Sequence, residues 1–518
     1  MIKYSEFGRV GNLGNQLFQY ASLIGLSKSL SRELVLPQWK YSEYFNHQFP
    51  FKKEAPSIIK PNEIRERKFE YDPEYWSSKI QESEIVNIHG YLQSEKYFEG
   101  VKDEVKKVLT FKQEYIDKCK ELYKDALSKP CIAISVRRGD YIDNSNYELL
   151  PITYYIKALL EKLPFYRGTN ILLFSDDLEY CKVHFECLDN VYFSDNLNDI
   201  GQLCLMSLCT HFVIANSTFS WWGAYLGEKE DSIIIRPNYL FNGKLLEKED
   251  SKDFYPKRWT MFDHKVSKIK LDDTTIVIPV KYDHRHREEN LDLVLKQLQQ
   301  DFDVKIFVGE QGLIQKFRDI EVKYHYFRNM KEFHRTRMLN YMITNTDTNI
   351  VVNYDADVFI PPLQFYLAIQ KIKEGVDMIY PYDGKFNRMG RSWYKLLFKY
   401  LDIGILRDTE FYYKKGNVNS VGGCIIYNKA SFIDAGMENE EFVSFSDEDN
   451  ERSYRFRLLG YEVERSKGAL YHLDHWCGID SSTNNPHWSR CRELWNWIKT
   501  LNREQMLEYI KEKFIWAK

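Results

Sequence analysis

Several things are scarce in this sequence, and each scarcity excludes a class of protein. No run of eighteen or more apolar residues occurs, so no transmembrane helix is expected. Met1 leads directly into a glycine-rich motif, without the charged and apolar regions of a signal peptide. The nine cysteines are odd in number, scattered, and form no Cys-x-x-Cys pair. That pattern excludes a disulfide framework or a zinc ribbon and fits free thiols in a reducing compartment. A basic excess is also missing, since 72 Lys and Arg are balanced by 75 Asp and Glu for a net charge of -3. A general nucleic-acid binder is thereby excluded. Internal repeats and low-complexity tracts are absent. A cytoplasmic protein is the expectation.

What is present describes a folded, multi-domain chain. At 518 residues it is too long for one ordinary core. Hydrophobic residues make up 44% and charged residues 28%, a globular rather than a disordered balance. Aromatics reach 15%, which suits stacking on sugars and bases and suits cores equally.

Short apolar runs alternate with helical patterns along the first half. They predict strands over 33–36, 85–88, 131–136, 170–174, 212–215 and 232–235, with helices over 15–30, 114–129, 151–162 and 199–209. Strands separated by helices predict α/β architecture with parallel sheets. Polar, loop-like sequence follows over 247–253 and 263–273, which puts a domain boundary near residue 268 and domains over 1–265 and 272–518. A second α/β pattern then starts, with strands over 275–280, 304–308 and 349–354 and a helix over 288–300. The final helices, over 488–501 and 503–516, are aromatic and mixed in charge; they suit packing on the second domain or attachment at the inner face of a membrane.

Four segments of the first half carry groups suited to a nucleotide diphosphate. Gly11-Asn12-Leu13-Gly14-Asn15-Gln16 is a glycine-rich turn entering a helix, where free N–H groups meet an anion, although such a turn alone is as often structural. Arg137-Arg138-Gly139-Asp140-Tyr141 follows the apolar run 131–136, so both guanidinium groups emerge where a parallel sheet binds ligands. Asp176 and Asp177 end another strand, to read ribose or base or to cap a helix. Asn216, Ser217 and Thr218 offer side-chain and backbone donors, and Trp221-Trp222, directly after this polar strand end, suggests a pocket wall, although such a pair also suits a core.

In this order, residues 11–21, His89–Phe98, Arg137–Tyr141, Phe174–Asp177 and Asn216–Ala224 resemble the α1,2-fucosyltransferase family, over about residues 6 to 260. The resemblance implies a GT-B-like pair of Rossmann-type subdomains, GDP-fucose as donor, inversion at the fucose anomeric carbon, and no metal. It makes Arg137 and Arg138 the groups that neutralise the GDP leaving group, with Arg138 and Asp140 as catalytic candidates. Asp140 suits a structural role equally. Ser135 stands where many relatives carry His, which leaves the general base open.

The second half has a different signature. Asp355 and Asp357, one residue apart at a strand end, suit a divalent cation and a ribose. Arg335 lies in a basic helix start, Gly422-Gly423 permits close approach of an acceptor sugar, and Glu448-Asp449 opens a helix. Acidic residues are favoured there in any case, but an inverting transfer needs a carboxylate base, and Asp449 is the choice. His472 and His475 could complete a metal shell.

These pieces resemble GT-A galactosyltransferases of the β1,4-galactosyltransferase type over about residues 272 to 485. The resemblance implies Mn²⁺ or Mg²⁺ bound by Asp357 with His472 or His475, and Asp355 on the ribose. The whole chain is therefore expected to be a bifunctional glycosyltransferase of surface glycan synthesis. UDP-galactose or a related UDP-sugar and GDP-fucose are its donors, and an oligosaccharide or lipid-linked glycan is its acceptor. The alternative is a fucosyltransferase whose second domain only binds glycan.

Overall fold

The computed structural model describes residues 1–47, 49, 60–265, 268–317, 320–328, 332–406, 412–413 and 419–514. The chain divides into two compact units, Met1–Cys181 with Asp189–Ser267, and Lys268–Lys518 with Lys182–Leu188.

The first unit is built on two parallel sheets. Strands β1 (Ile2–Lys3), β2 (Leu34–Val35), β3 (Asn62–Arg65) and β4 (Val86–His89) lie in the order β2-β1-β4-β3. The helix Leu13–Ser29 connects β1 to β2 and is buried along most of its length. Strands β5 (Cys131–Val136), β6 (Asn170–Ser175), β7 (Val191–Phe193), β8 (His211–Val213), β9 (Ile234–Arg236) and β10 (Thr260–Met261) form the second sheet, in the order β10-β9-β8-β5-β6-β7. All six residues of β5 are buried, as a central parallel strand covered on both faces requires. The chain runs outward from β5 through β6 and β7, then returns to the other side of β5 as β8. Ligands of such sheets bind at the carboxyl ends of the strands beside this reversal. The residues there are Arg137 and Ser217.

The second unit repeats that logic. Its main sheet contains β11 (Ile269–Lys281), β12 (Phe302–Gly312), β13 (Lys323–Arg328), β14 (Ile350–Tyr354), β16 (Met378–Tyr380), β19 (Cys424–Asn428) and β20 (Val463–Arg465), in the order β13-β12-β11-β14-β19-β16-β20. Only β19 runs against the others. The reversal lies between β11 and β14, and Asp355 follows β14 directly. A smaller sheet of β15 (Val358–Phe359), β17 (Phe386–Met389), β18 (Tyr412–Tyr413) and β21 (Leu470–Leu473) flanks it, in the order β15-β21-β17-β18.

Three expectations need correction. The helix expected over 114–129 stops at Leu122, because Tyr123 turns into the core and its hydroxyl donates to the Asp195 carbonyl. The loop expected over 263–273 is strand from Ile269 onward, with buried Ile269 and Leu271 alternating with exposed Lys270 and Asp272. Trp221 and Trp222 are not a pocket wall: both are fully buried, with Phe18 and Phe98 against them. The last expected helix spans Arg503–Lys513, and residues 515–516 of that expectation lie outside the described residues. Among the described residues no helix is long and apolar enough to cross a membrane.

Candidate active sites

A cavity of about 720 Å³ in the first unit is lined by residues that follow the strands of both sheets. Asn15 comes after β1, Glu66 after β3 and Tyr91 after β4; Arg137 follows β5 and Thr218 follows β8. Two helix N-termini reach it, those of Leu13–Ser29 and Thr218–Gly227, and their free N–H groups favour an anion. They pack together at Gly14, where a Cβ would lie 2.6 Å from the Thr218 backbone. The Thr218 hydroxyl and the Gln93 amide both donate to Asn15 Oδ1, at 3.0 and 2.9 Å.

The arginine pair splits. Arg137 lines the cavity, steered by Asp176 Oδ2 at 2.8 Å and by Asp140. Arg138 is 3% exposed; its guanidinium lies 3.5 Å from the Tyr180 ring centroid and its Nε 3.4 Å from Asp177. The structure thus places Arg137 but not Arg138 in the cavity lining, because successive residues leaving a strand point to opposite sides. Asp176 also accepts the Arg138 N–H at 2.9 Å, so it aims the arginine loop.

Two other expected ligand residues are engaged within the fold. The Asn216 amide donates to the carbonyls of Glu148 and Leu240 at 3.0 and 3.2 Å, and its side chain is buried outside the cavity lining. Gln16 lines the cavity beside Gly14 and Asn15, but its side chain donates to the Gly11 carbonyl and accepts from Trp39 Nε1, both at 2.8 Å. Asp140, Ser217 and Thr218 do line the cavity. Ser135 borders an adjoining space of about 210 Å³ and lies 2.7 Å from the Ser220 hydroxyl.

In the second unit one cavity of about 540 Å³ gathers Arg335, Asp355, Asp357, Asp449, His472 and His475. Strand pairing does the gathering: β15 and β21 run antiparallel with Val358 opposite His472, and the Leu473 N–H donates to the Asp357 carbonyl at 2.7 Å. His472 Nε2 lies 3.6 Å from Asp357 Oδ1 and His475 Nε2 lies 3.2 Å from Oδ2. One ligand atom from each of the three lies within 4.8 Å of the others. A divalent cation fits this set, and two imidazoles beside one carboxylate favour Mn²⁺ over Mg²⁺. Burial works against the Asp357 charge, but His472 and His475, when protonated, together with Arg287 hold its carboxyl well below the usual range. Burial pushes His472 down to about 4, so it is a neutral imidazole, the form that ligates a metal.

The two aspartates divide: Asp357 lies with the histidines, and Asp355 stands apart from that set. Asp355 turns to Arg335 at 2.7 Å, and its backbone N–H donates to the Gly423 carbonyl at 2.8 Å. Arg335 also reaches Asp449 at 3.4 Å and Glu448 at 3.6 Å. Asp449 is held further by Arg452 at 2.5 Å, itself fixed by the fully buried Glu438 at 2.8 Å. Burial opposes the Asp449 charge, yet Arg452 and Arg335 keep its carboxyl ionised below the usual range. Glu448 differs: burial and the adjacent Asp449 charge push it up to about 8. The floor under Asp449 is Gly422, where a Cβ would meet Oδ2 at 2.4 Å.

Sequence reasoning missed two cavity residues. Arg287 donates to Asp357 Oδ2 at 2.6 Å and to Ser481 Oγ at 3.0 Å. It follows the first strand of its unit, so the placement rule that singled out Arg137 would have found it. Glu66 follows β3, whose polar sequence Asn62–Arg65 carries no strand signal.

Comparison with known proteins places the first unit in a family. The model of a family described as "Glycosyl transferase family 11" matches residues 6–263. An alpha-1,2-colitosyltransferase from Escherichia coli is 30% identical, over 49% of this chain and 97% of that protein. The O-antigen biosynthesis glycosyltransferase WbnK of Escherichia coli is 28% identical over 45% and 93% of the two chains. Galactoside alpha-(1,2)-fucosyltransferase 2 of Bos taurus is 23% identical over 48% and 74%. For the C-terminal part, solved structures similar to this chain include the catalytic domain of Drosophila beta1,4galactosyltransferase 7 with xylobiose, at 14% identity and a TM-score of 0.25. This chain spans 64% of that one, which covers 38% of this chain. GalNAc-T7 with UDP, GalNAc and Mn²⁺ is 11% identical with a TM-score of 0.30, over 44% and 49%. Through residues 6–263, with their parallel sheets and the arginine loop between them, the chain belongs to glycosyl transferase family 11.

Proposed function

We propose that the chain is a bifunctional glycosyltransferase of surface glycan synthesis. The second unit transfers a hexose, galactose, from a UDP-sugar with inversion. The first transfers fucose from GDP-fucose to O2 of the resulting β-galactoside. The observation that carries this reading is that each unit has its own cavity and its own means of neutralising a diphosphate: Arg137 in one, Asp357 with His472 and His475 in the other. The two parallel sheets of the first unit, with the cavity among residues after both sets of strands, support a GT-B-like arrangement, in which Arg137 would stand in for a metal at the diphosphate.

In the second unit Asp357, His472 and His475 would hold Mn²⁺, which supplies positive charge to the departing diphosphate. Asp355 takes the ribose. Asp449, ionised and fixed by Arg452, accepts the proton of the acceptor hydroxyl. A tether between the two activities raises the local concentration of the intermediate to roughly millimolar. The acceptor is an oligosaccharide or a lipid-linked glycan. Exposed Trp476 and Trp497 in the second unit suit peripheral contact with the membrane that carries it.

The test is incubation of the purified protein with UDP-sugars and β-linked acceptors, with and without GDP-fucose, in Mn²⁺ or EDTA, read by mass. Hexose addition that needs Mn²⁺, followed by deoxyhexose addition that survives EDTA, is the expected result. Consumption of GDP-fucose alone would reduce the second unit to a binding module. A second donor deserves inclusion on one observation: the 30% identical relative is named for colitose rather than fucose.

A further inference from the structure

We propose that Glu66 is the general base of the first unit's transfer, the group that takes the proton from the acceptor hydroxyl. The inference rests on the family 11 reading of that unit and fills the role that Ser135 leaves open. Two walls meet in the 720 Å³ cavity. Arg137, the diphosphate-facing cation, stands on the loop after β5; Glu66 stands on the loop after β3, in the other sheet. An inverting displacement needs this opposition, with the leaving group drawn to one side and the nucleophile activated from the other.

Four carboxylates line the cavity, and their partners separate them. Asp140 is bound to Arg137. Asp199 accepts from the Tyr41 hydroxyl and from the Ile200 N–H at 2.8 Å. Glu249 accepts the Phe69 N–H at 3.2 Å and lies 3.7 Å from Lys248 Nζ. Glu66 is fixed by the backbone alone: the Tyr91 N–H reaches Oε2 at 2.8 Å and the Leu92 N–H reaches Oε1 at 3.2 Å. Among the described residues no ion pair reaches it, so its basicity is not spent on a cation. Gly90 lies so close that a Cβ there would sit 2.8 Å from Oε2.

The surroundings suit a base and a sugar. Tyr4, Tyr97 and Glu249 face this carboxyl. Burial, with the Glu249 charge, pushes it up to about 7 against the pull of the two N–H donors. A base so poised is matched to neutral operation. The Tyr91 ring, 44% exposed, and Phe69 line the same cavity and offer faces for a pyranose. In the step, the acceptor O2–H proton passes to a Glu66 oxygen as O2 bonds to fucose C1. The bond from C1 to the diphosphate oxygen breaks, its electron pair leaves on GDP beside Arg137, and Glu66 later returns the proton to water.

Glu66→Gln keeps one oxygen, which can stay on the Tyr91 N–H, gives up the second acceptor oxygen, and cannot take a proton. Its kcat for fucose transfer should fall about 10²- to 10⁴-fold, with GDP affinity by calorimetry and KM for GDP-fucose unchanged within about twofold. The wild-type rise of kcat through about pH 7 should disappear in the variant. Gly90→Ala, which pushes the carboxylate aside without removing it, should lower kcat in the same direction. Wild-type turnover in Glu66→Gln, or an unchanged pH limb, overturns the assignment of Glu66 alone. A wild-type protein that binds GDP but transfers no deoxyhexose overturns the reading of the whole unit.

Discussion

His472 and Asp357 meet because β21 pairs antiparallel with β15, which sets His472 opposite Val358 and its Nε2 3.6 Å from the carboxylate. Main-chain register, rather than a loop, brings the two together. A site held this way keeps its shape before the ion arrives, which favours tight binding. Addition of Mn²⁺ should therefore raise the unfolding temperature of the wild-type protein, with about 2.7 kcal/mol of stabilisation at roughly one hundred times Kd. His475→Ala, which removes one imidazole and leaves the β15–β21 pairing intact, should lose that shift. Calorimetric scans and the electron spin resonance signal of free Mn²⁺ would both show it. A His475→Ala protein that binds Mn²⁺ as the wild type does would remove the histidines from the metal set.

Much of this arrangement was legible in the sequence, and the misses have physical causes. The six residues of β5, apolar except for Ser135, announce a buried parallel strand, so Arg137 at its end could be placed from chain order alone. Strand alternation sends Arg138 to the opposite side from Arg137, but which of the two meets the cavity depends on the sheet around β5. Trp221 and Trp222 misled because an aromatic pair serves a core and a pocket wall equally well. Strand β3 was invisible: Asn62–Arg65 is polar on both faces except at Ile64, so Glu66 after it had no frame. The pairing that delivers His472 joins β15, two residues long, to a segment distant in the chain, and no local pattern encodes that.

The split between the arginines yields opposite outcomes for two neighbouring substitutions. Arg137→Ala removes a cation from the cavity and should weaken GDP binding about 30- to 150-fold, from roughly 2–3 kcal/mol of charge-assisted hydrogen bonding. Arg138→Met removes a buried cation from Tyr180 and Asp177 instead. That should lower stability by roughly 3 kcal/mol while GDP affinity at low temperature changes little. Calorimetry with GDP and thermal unfolding of both proteins separate the roles. Equal loss of GDP affinity in the two would return Arg138 to the cavity.

Asp301, 2% exposed at the end of the helix Arg285–Asp301, gives the second unit a pH-dependent stability. Burial pushes its carboxyl from 3.8 up to about 8, with the Asp402 charge adding to the rise. Between those values the folded chain keeps a proton that the unfolded chain releases. Stability therefore falls as pH rises through that window, by at most about 1.4 kcal/mol per pH unit from this group. Asn cannot ionise and can still accept the Gln297 amide. Asp301→Asn should match the wild type near pH 4 and exceed it in urea unfolding by an increasing margin toward pH 8. A margin independent of pH would contradict the assignment.

Gly422 supports Asp449 by having no side chain. A Cβ at that position would lie 2.4 Å from Asp449 Oδ2, and the carboxylate cannot retreat without breaking its contact with Arg452 at 2.5 Å. Arg452 is itself immobile, locked to Glu438 with both side chains fully buried. The added methyl must therefore displace the proposed base or the backbone beneath it, and a misplacement of about 1 Å can cost 10²-fold in rate. Gly422→Ala should lower hexose transfer by about that factor with Mn²⁺ binding retained, since Asp357 and the histidines do not touch Gly422. Fucose transfer by the first unit, measured on a preformed β-galactoside, should be unchanged in the same protein. Loss of both activities would mean that the substitution unfolds the chain. Retention of both would show that the second unit's proton acceptor is a carboxylate other than Asp449, with Glu448 next in line.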